Sequence, residues 1–388
     1  MAGATSERSE GLVLGRLLGV PVILARSWFV IAVVITLLFH GSVVRTAPDL
    51  GPVASYAVAF CYAVLLGVSV LVHELAHALV ARSFGLPATR IVLTLWGGHT
   101  QFESDLPSPG RSFAVAVAGP VANGLLAVLA WLPLQLADVP PLPSLLLFAA
   151  VLTNAFVAVF NVLPGLPLDG GRLLEAVVWR LGGDRDLGTL AAGWAGRVLA
   201  VVVPVVALGW PLLEGSRPDI VTAIWACALG ALLWTGAGGA LQGANIRRRA
   251  PRARARDLAR PAVGVPADAS LAHALEIAAA AGATAGVSGG AWVVLVGPDG
   301  RPAALLDPDA VSAVPPDRRA LVPASSAARA LLPGTALPDH LTGTDLLRAM
   351  SGQSSEEWVL IDAGGAVSGL LLARDVVAVV MGSRAQTR

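Results

Sequence analysis

Two histidines and a glutamate fall within five residues of one another in Leu71–Val80 (LVHELAHALV). On a helix, His73 and His77 stand one turn apart on the same face, with Glu74 beside the first. That spacing lets two imidazoles share a zinc ion while the carboxylate takes a proton from an attacking water. In a water-soluble chain so short a motif carries little weight. Here it closes an apolar run, Val53–Phe84, that has no other ionisable side chain between Tyr62 and His73. Ionisable groups in a membrane-compatible helix are costly, which marks them as a functional site.

A catalytic zinc takes three protein ligands and leaves a position open. Asp169 is one candidate for the third, in Asn161–Arg172 (NVLPGLPLDGGR). Pro164, Gly165 and Pro167 break a helix just before it and let a carboxylate turn inward. The same aspartate also suits a capping role for a helix that starts near Gly171. His99, Glu103 and Asp105 compete from a polar segment, where solvated roles are simpler. His40 lies toward the opposite end of its span.

The elements that must position these groups are membrane helices. The chain of 388 residues is 55% hydrophobic and 14% charged, with a mean hydropathy of +0.71; soluble domains carry about 25% charged residues. Six apolar segments of roughly the 20 residues a bilayer needs read as spans: Trp28–Val44, Val53–Val80, Phe113–Leu136, Pro143–Leu163, Leu190–Leu213 and Ile220–Leu241. Trp28 is an expected interface anchor. Gly15–Ala25 reads as an interfacial strand or hairpin. Gly85–Asp105 reads as a membrane-associated β-hairpin, with Ile91–Leu95 as a strand and Gly97–Gly98 as the turn. Gly171–Leu181 reads as a short amphipathic helix.

Every basic residue is an arginine, 27 in all against 26 acidic residues. Arg8, Arg16 and Arg26 precede the first span. Arg82, Arg90 and Arg111 lie between the second and third, Arg172, Arg180 and Arg185 between the fourth and fifth, and Arg247–Arg260 holds seven after the sixth. The alternate loops hold Arg45 and Arg217. The positive-inside rule then puts both termini in the cytoplasm of a bacterial cell membrane. His73 and Asp169, ~20 and ~25 residues into spans of the same direction, come to similar depth on the cytoplasmic side. The first residues lack the layout of a cleaved signal peptide. Two cysteines, Cys61 and Cys227, make no disulfide framework. The arginine run abuts the bilayer without interleaved aromatics, which suits anionic lipid and not nucleic acid.

With these residues in place, His73-Glu-Leu-Ala-His77 followed 92 residues later by the aspartate of Asn-x-x-Pro-x-x-Pro-Leu-Asp-Gly-Gly resembles the site-2 protease family of intramembrane zinc metalloproteases. Gly85–Gly98 is similar to that family's membrane-associated hairpin, Ala118–Asn123 (AGPVAN) to its small-residue motif, and Asn154–Asn161 to the run leading into its aspartate motif. The resemblance covers about residues 12–245. It implies one catalytic zinc on His73, His77 and Asp169, with Glu74 as the base and Asn161 holding the substrate backbone or the oxyanion. Asn154 and Asn123 are assigned to interhelical hydrogen bonding. A substrate helix must unwind before its carbonyls can be attacked, and the edge of the Ile91–Leu95 strand is the expected place for the unwound segment to pair.

Beyond Pro261 the pattern repeats. Trp292 and Trp358, and Asp309 and Asp375, are each 66 residues apart, in a strand–turn–strand–helix order preceded by helical stretches at Leu271–Ala281 and Thr342–Met350. The repeat resembles a tandem pair of CBS domains, modules that bind adenosine nucleotides and regulate an attached domain. Leu306 and Leu372 stand where that family often has Thr or Ser, which argues against a nucleotide and leaves a structural or dimerising role equally open.

The expected fold class is a polytopic α-helical membrane domain of about six transmembrane helices with a small membrane-associated β-hairpin, plus a cytoplasmic α+β CBS-like pair. The expected divisions are an N-terminus at 1–24, a metalloprotease domain at 25–246, a basic linker at 247–260, and repeats at 261–320 and 321–388. The expected function is zinc endopeptidase cleavage of transmembrane segments in regulated intramembrane proteolysis. The substrate would be a single-span regulatory protein such as an anti-sigma factor. Homodimerisation through the CBS-like pair is a further expectation. The alternative is a membrane transporter or channel regulated by that pair.

Overall fold

A computed structural model describes residues 11–95, 97–102, 106–284 and 290–382. The chain divides into two compact units, Met1–Gln242 and Gly243–Arg388. In the first, hairpin β1 (Gly11–Leu17) and β2 (Val20–Ala25) leads into helices α1 (Arg26–Thr46) and α2 (Pro52–Ser83). Strands β3 (Ala88–Thr94) and β4 (Gly97–Phe102) follow, then α3 (Pro109–Leu136), α4 (Pro141–Val162), α5 (Asp169–Gly182), α6 (Arg185–Leu213) and α7 (Ile220–Arg249).

All helices of the first unit except the 14-residue α5 are long and apolar enough to cross a membrane, six in number among the described residues. The chain is thus a multi-pass membrane protein. Prolines at or next to the first turn start α2, α3 and α4, where a missing N–H costs nothing. Asp184 caps α6 by accepting from the backbone N–H groups of Asp186 and Leu187. Large apolar side chains on the helices, such as Leu129, Val159 and Val205, point outward, as a lipid-facing surface requires. Buried polar residues gather inside the bundle instead. Ser69, His73, Glu74 and His77 on α2 are joined there by Asn123 on α3 and Asn154 on α4.

The strands differ from expectation in two ways. The two hairpins form one four-stranded sheet, ordered β1–β2–β3–β4, because β2 pairs parallel with β3 from Val22–Ile91 to Leu24–Leu93. β3 is therefore an inner strand with both edges occupied, and among the described residues β4 is the outer strand next to it, with β1 at the other edge. Gly97 and Gly98 are not the turn; they begin β4, paired with Thr94 and Leu93. The Trp28 indole packs against Gly67 of α2. Arg197 lies within α6, its guanidinium 3.9 Å from the centroid of the Trp234 ring, a cation–π contact that eases the cost of a charge inside the span.

The second unit shows the repeat as topology. One half runs β5 (Ala262–Pro266), α9 (Leu271–Thr284), β6 (Trp292–Val296), β7 (Pro302–Leu306) and α10 (Pro308–Ala313), after the short helix α8 (Ala255–Leu258). The other runs β9 (Ala336–Pro338), α11 (Gly343–Ser351), β10 (Glu357–Ile361), β11 (Val367–Leu372) and α12 (Ala373–Met381), with β8 (Ala328–Ala330) between the halves. In each, the first strand is parallel to the second and the third is antiparallel to it. Val294 and Leu305 of one half pack with Val359, Leu370 and Leu372 of the other.

The arginine-rich stretch 247–260 is not a free linker. Its first residues finish α7, and Ala253 and Ala255 are buried in one cluster with Trp358 and Leu371. Arg256 pairs with Asp339 at 2.7 Å, and Arg260 with Asp375 at 3.2 Å. Asp375, the position of interest for a nucleotide, is therefore engaged by an arginine of its own chain, while Asp309 is exposed.

Candidate metal centre

His73 and His77 emerge from one face of α2, and Asp169 reaches them from the first turn of α5. The two histidine Nε2 atoms lie 3.1 Å apart; Asp169 Oδ2 is 2.8 Å from the first and 3.1 Å from the second. Among the described residues these three form a group able to hold a metal ion. His77 Nδ1 lies 2.7 Å from the carbonyl of Val115, which can only accept. Its proton therefore sits on Nδ1 and leaves Nε2 bare. His73 Nδ1 lies 2.6 Å from Asn123 Oδ1, with the same consequence.

In that tautomer the lone pairs of two imidazole nitrogens and a carboxylate oxygen converge on one point. Such a cluster calls for a cation, and the donor set suits zinc. A tetrahedron with bonds of about 2.0–2.1 Å has edges of roughly 3.4 Å. The observed spacings of 2.8–3.1 Å need to open by only a few tenths of an ångström, so the residues fit the ion.

Close backbone approach makes the centre possible. Gly119 of α3 lies against both histidines: a Cβ there would stand 2.5 Å from His77 Nε2 and 2.6 Å from His73 Nε2. The loop carrying Asp169 is clamped on α6, where Leu166 N–H donates to the carbonyl of Ala192 at 3.0 Å. At Gly196 any Cβ would meet the Leu166 carbonyl oxygen at 2.0 Å. The Pro–Gly–Leu–Pro–Leu–Asp–Gly–Gly run is thereby accounted for as a packed corner. Asp169 is turned inward toward the histidines and is not the N-cap, a position Leu168 holds.

Glu74 is buried on the same helix and faces β4. Thr100 Oγ1 donates to its Oε2 at 2.7 Å, and Gly98 passes so close that a Cβ would stand 2.6 Å from Glu74 Cγ. A cavity of about 920 Å³ is lined by His73, Glu74, His77, Asp169 and Asn161 together with both β4 residues. Its size is at the upper end of the ~300–1,000 Å³ usual for ligand pockets.

Of the other candidates, His99 is exposed on β4 and is not one of the three donors. His40 stacks on Tyr56 and lies 3.1 Å from Ser55 Oγ. Glu103 and Asp105 lie outside the described residues. Asn161 lines the cavity and donates its amide to the Val157 carbonyl. The sequence assigns Thr100, Gly98 and Gly119 no role at the site, although Gly98 reads there as part of a turn. The signal for Gly119 was present in the AGPVAN motif, but nothing in the sequence aims Thr100 at Glu74.

A family model described as Peptidase family M50 matches residues 61–140 and 135–203. A putative zinc metalloprotease of Synechocystis is 31% identical over 247 residues, 62% of this chain and 62% of that protein. The putative zinc metalloprotease YwhC of Bacillus subtilis is 30% identical over 196 residues, 41% of this chain and 88% of that protein. The chain thus spans about three fifths of the length of the Synechocystis relative. Among solved structures, the site-2 protease from Methanocaldococcus jannaschii aligns at TM-score 0.42 and 25% identity, over 59% of this chain and 94% of that one. The CBS domain of a bacterial CNNM/CorC family Mg2+ transporter aligns at TM-score 0.26 and 16% identity, over 40% of this chain and 95% of that one.

Proposed function

The chain belongs to peptidase family M50, and from that premise we propose that it is an intramembrane zinc endopeptidase acting on membrane-spanning segments of regulatory proteins. The observation that carries the reading is the convergence of His73, His77 and Asp169 on one point beside Glu74, inside a bundle of apolar helices. His73 Nε2, His77 Nε2 and Asp169 Oδ2 would hold a single zinc. That ion supplies Lewis acidity, polarising the scissile carbonyl and making water a nucleophile near neutral pH.

The protein's own groups do the rest. Glu74 accepts the proton of the attacking water and returns it to the leaving amine. The hydrogen bond from Thr100 occupies one of its oxygens, Oε2, and fixes its rotamer. Asn161, at the cavity wall, offers an amide to the substrate backbone or the developing oxyanion. Its present bond to the Val157 carbonyl is a local one that substrate would replace. An unwound substrate segment would add to β4, since β3 has no free edge. Gly98 and Thr100 would then bring its backbone alongside Glu74.

Both termini are proposed to lie in the cytoplasm of a bacterial cell membrane, on the arginine distribution. The second unit, with its paired strand–helix–strand–strand–helix halves, is proposed as a CBS-like module that regulates or dimerises the enzyme. The test is Glu74→Gln. It should abolish cleavage while the purified protein keeps its zinc, and a single-span protein should accumulate in membranes of cells carrying the variant. Retained cleavage, or a wild-type protein without zinc, would overturn the assignment and favour transport.

A further inference from the structure

The two histidines of the centre are held by different means. His77 Nδ1 meets a backbone carbonyl directly, that of Val115. His73 Nδ1 meets a side-chain amide, Asn123, which on its own could turn either its oxygen or its nitrogen toward the ring. The choice matters. With oxygen toward the ring, the His73 proton sits on Nδ1 and Nε2 is free to bind a metal. With nitrogen toward it, the proton moves to Nε2, where Asp169 Oδ2 at 2.8 Å would take it as a hydrogen bond and compete with the metal.

The choice is made on another helix. The Ala150 carbonyl on α4 can only accept, so Asn154 must present Nδ2 to it, at 2.9 Å. Asn154 Oδ1 then faces the other way and receives Ser69 Oγ–H at 2.9 Å and Asn123 Nδ2 at 2.8 Å. Asn123 Nδ2 also donates to Ser69 Oγ at 2.8 Å. Reversing Asn123 alone would set two amide oxygens 2.8 Å apart in a site sealed from water. Asn123 and Ser69 are almost completely buried, where such a mismatch is costly. Every donor is satisfied in one sense of the chain and not in the other.

We propose that Ala150 O, Asn154, Ser69 and Asn123 form a one-way hydrogen-bond relay across three helices that holds the His73 proton on Nδ1 and thereby sets the affinity of the centre for its metal. Asn154, Ser69 and Asn123 are positioning residues in this scheme, because none touches the reacting atoms. It rests on the zinc site proposed above and extends that site into α4, which supplies none of the three metal ligands. It also gives Asn123 and Asn154 a task beyond holding helices together.

The experiment uses full-length protein in detergent, labelled with 15N-histidine. It reads the ring-nitrogen shifts of metal-free protein and zinc affinity by chelator competition. Wild type should show His73 protonated at Nδ1. Asn123→Leu should shift His73 toward the Nε2–H form and weaken zinc by about 10–100-fold, the range for lost outer-shell partners. Asn154→Leu should act in the same direction without contacting His73, and Ser69→Ala more weakly. If Asn123→Leu does not fold, the other two variants decide. Wild-type tautomer and affinity in Asn154→Leu and Ser69→Ala would overturn the relay and leave helix packing as their role. Because the tautomer is read without metal or substrate, a failure to find proteolysis leaves this result standing, and the reverse also holds.

Discussion

Gly119→Ala is the sharpest probe of the centre, because it adds one methyl group at a known place. The new Cβ would stand 2.5 Å from His77 Nε2 and 2.6 Å from His73 Nε2. Ordinary contact begins near 3.4 Å, so the imidazoles or the α3 backbone must give by roughly 0.9 Å, well beyond the ~0.2 Å tolerance of metal–ligand distances. Misplacement by an ångström costs on the order of 100-fold in catalysis. We expect zinc affinity to fall by at least that factor, about 2.8 kcal/mol, and cleavage with it.

The assay is zinc retained after dialysis against graded chelator, beside thermal unfolding of the metal-free proteins. Alanine favours a helix interior over glycine by about 1 kcal/mol. That gain offsets only part of the ~1–3 kcal/mol cost of overpacking a buried site, so the metal-free variant should unfold somewhat below the wild-type temperature, and the larger loss should appear in the metal-bound comparison. Zinc affinity within threefold of wild type would refute the claim that α3 closes one side of the metal site.

The remaining predictions separate the base from the metal and the second unit from the first. Gly98→Ala should push β4 off Glu74 and reduce cleavage by at least tenfold while zinc affinity stays at the wild-type value, since the atoms nearest a Cβ there belong to Glu74 and Val70; joint loss of zinc would refute that division. In the second unit, the Arg256 guanidinium beside Asp339 holds that carboxyl below the usual carboxylate range. A depressed folded value means the pair contributes stability above the unfolded pKa, near 3.9, and loses it as pH falls through the lower folded value. Amide protection at Ala255 and Asp339, taken relative to the intrinsic exchange rate, should fall below about pH 4 in wild type and already be lower at pH 7 in Arg256→Gln. Identical exchange in the two proteins would count against the pairing.

Much of the first unit could be read from sequence because the bilayer imposes a strong length and polarity rule. All six spans are legible, with ends that differ by up to eight residues, as Arg249 in place of Leu241 at the end of α7 shows. His73, Glu74 and His77 stand out in the sequence because ionisable groups are scarce there, whereas Asp169 is one of several candidates until the resemblance to the site-2 protease family singles it out. The sheet was not. Gly97 and Gly98 look like a turn because glycine usually serves one, whereas here Gly98 is required by the glutamate beneath it. The parallel pairing of β2 with β3 joins residues about 70 positions apart, and no local pattern announces such a contact. The stretch 247–260 reads as a basic linker against the bilayer by its seven arginines, but its alanines at 253 and 255 are the residues that pack.

The revised strand order changes how substrate and base are related. With β3 as the docking edge, the paired segment and Glu74 would have been joined only through the fold. With β4 at the edge, one residue serves both. Thr100 contributes its backbone to the strand and its hydroxyl to Glu74 Oε2, with a further 3.3 Å contact to the Glu74 carbonyl. A segment that added to β4 would tie down the strand that holds Glu74, the proposed base, so recognition and orientation would draw on the same hydrogen bonds. The glycine at 98 is what lets that strand lie close enough for both.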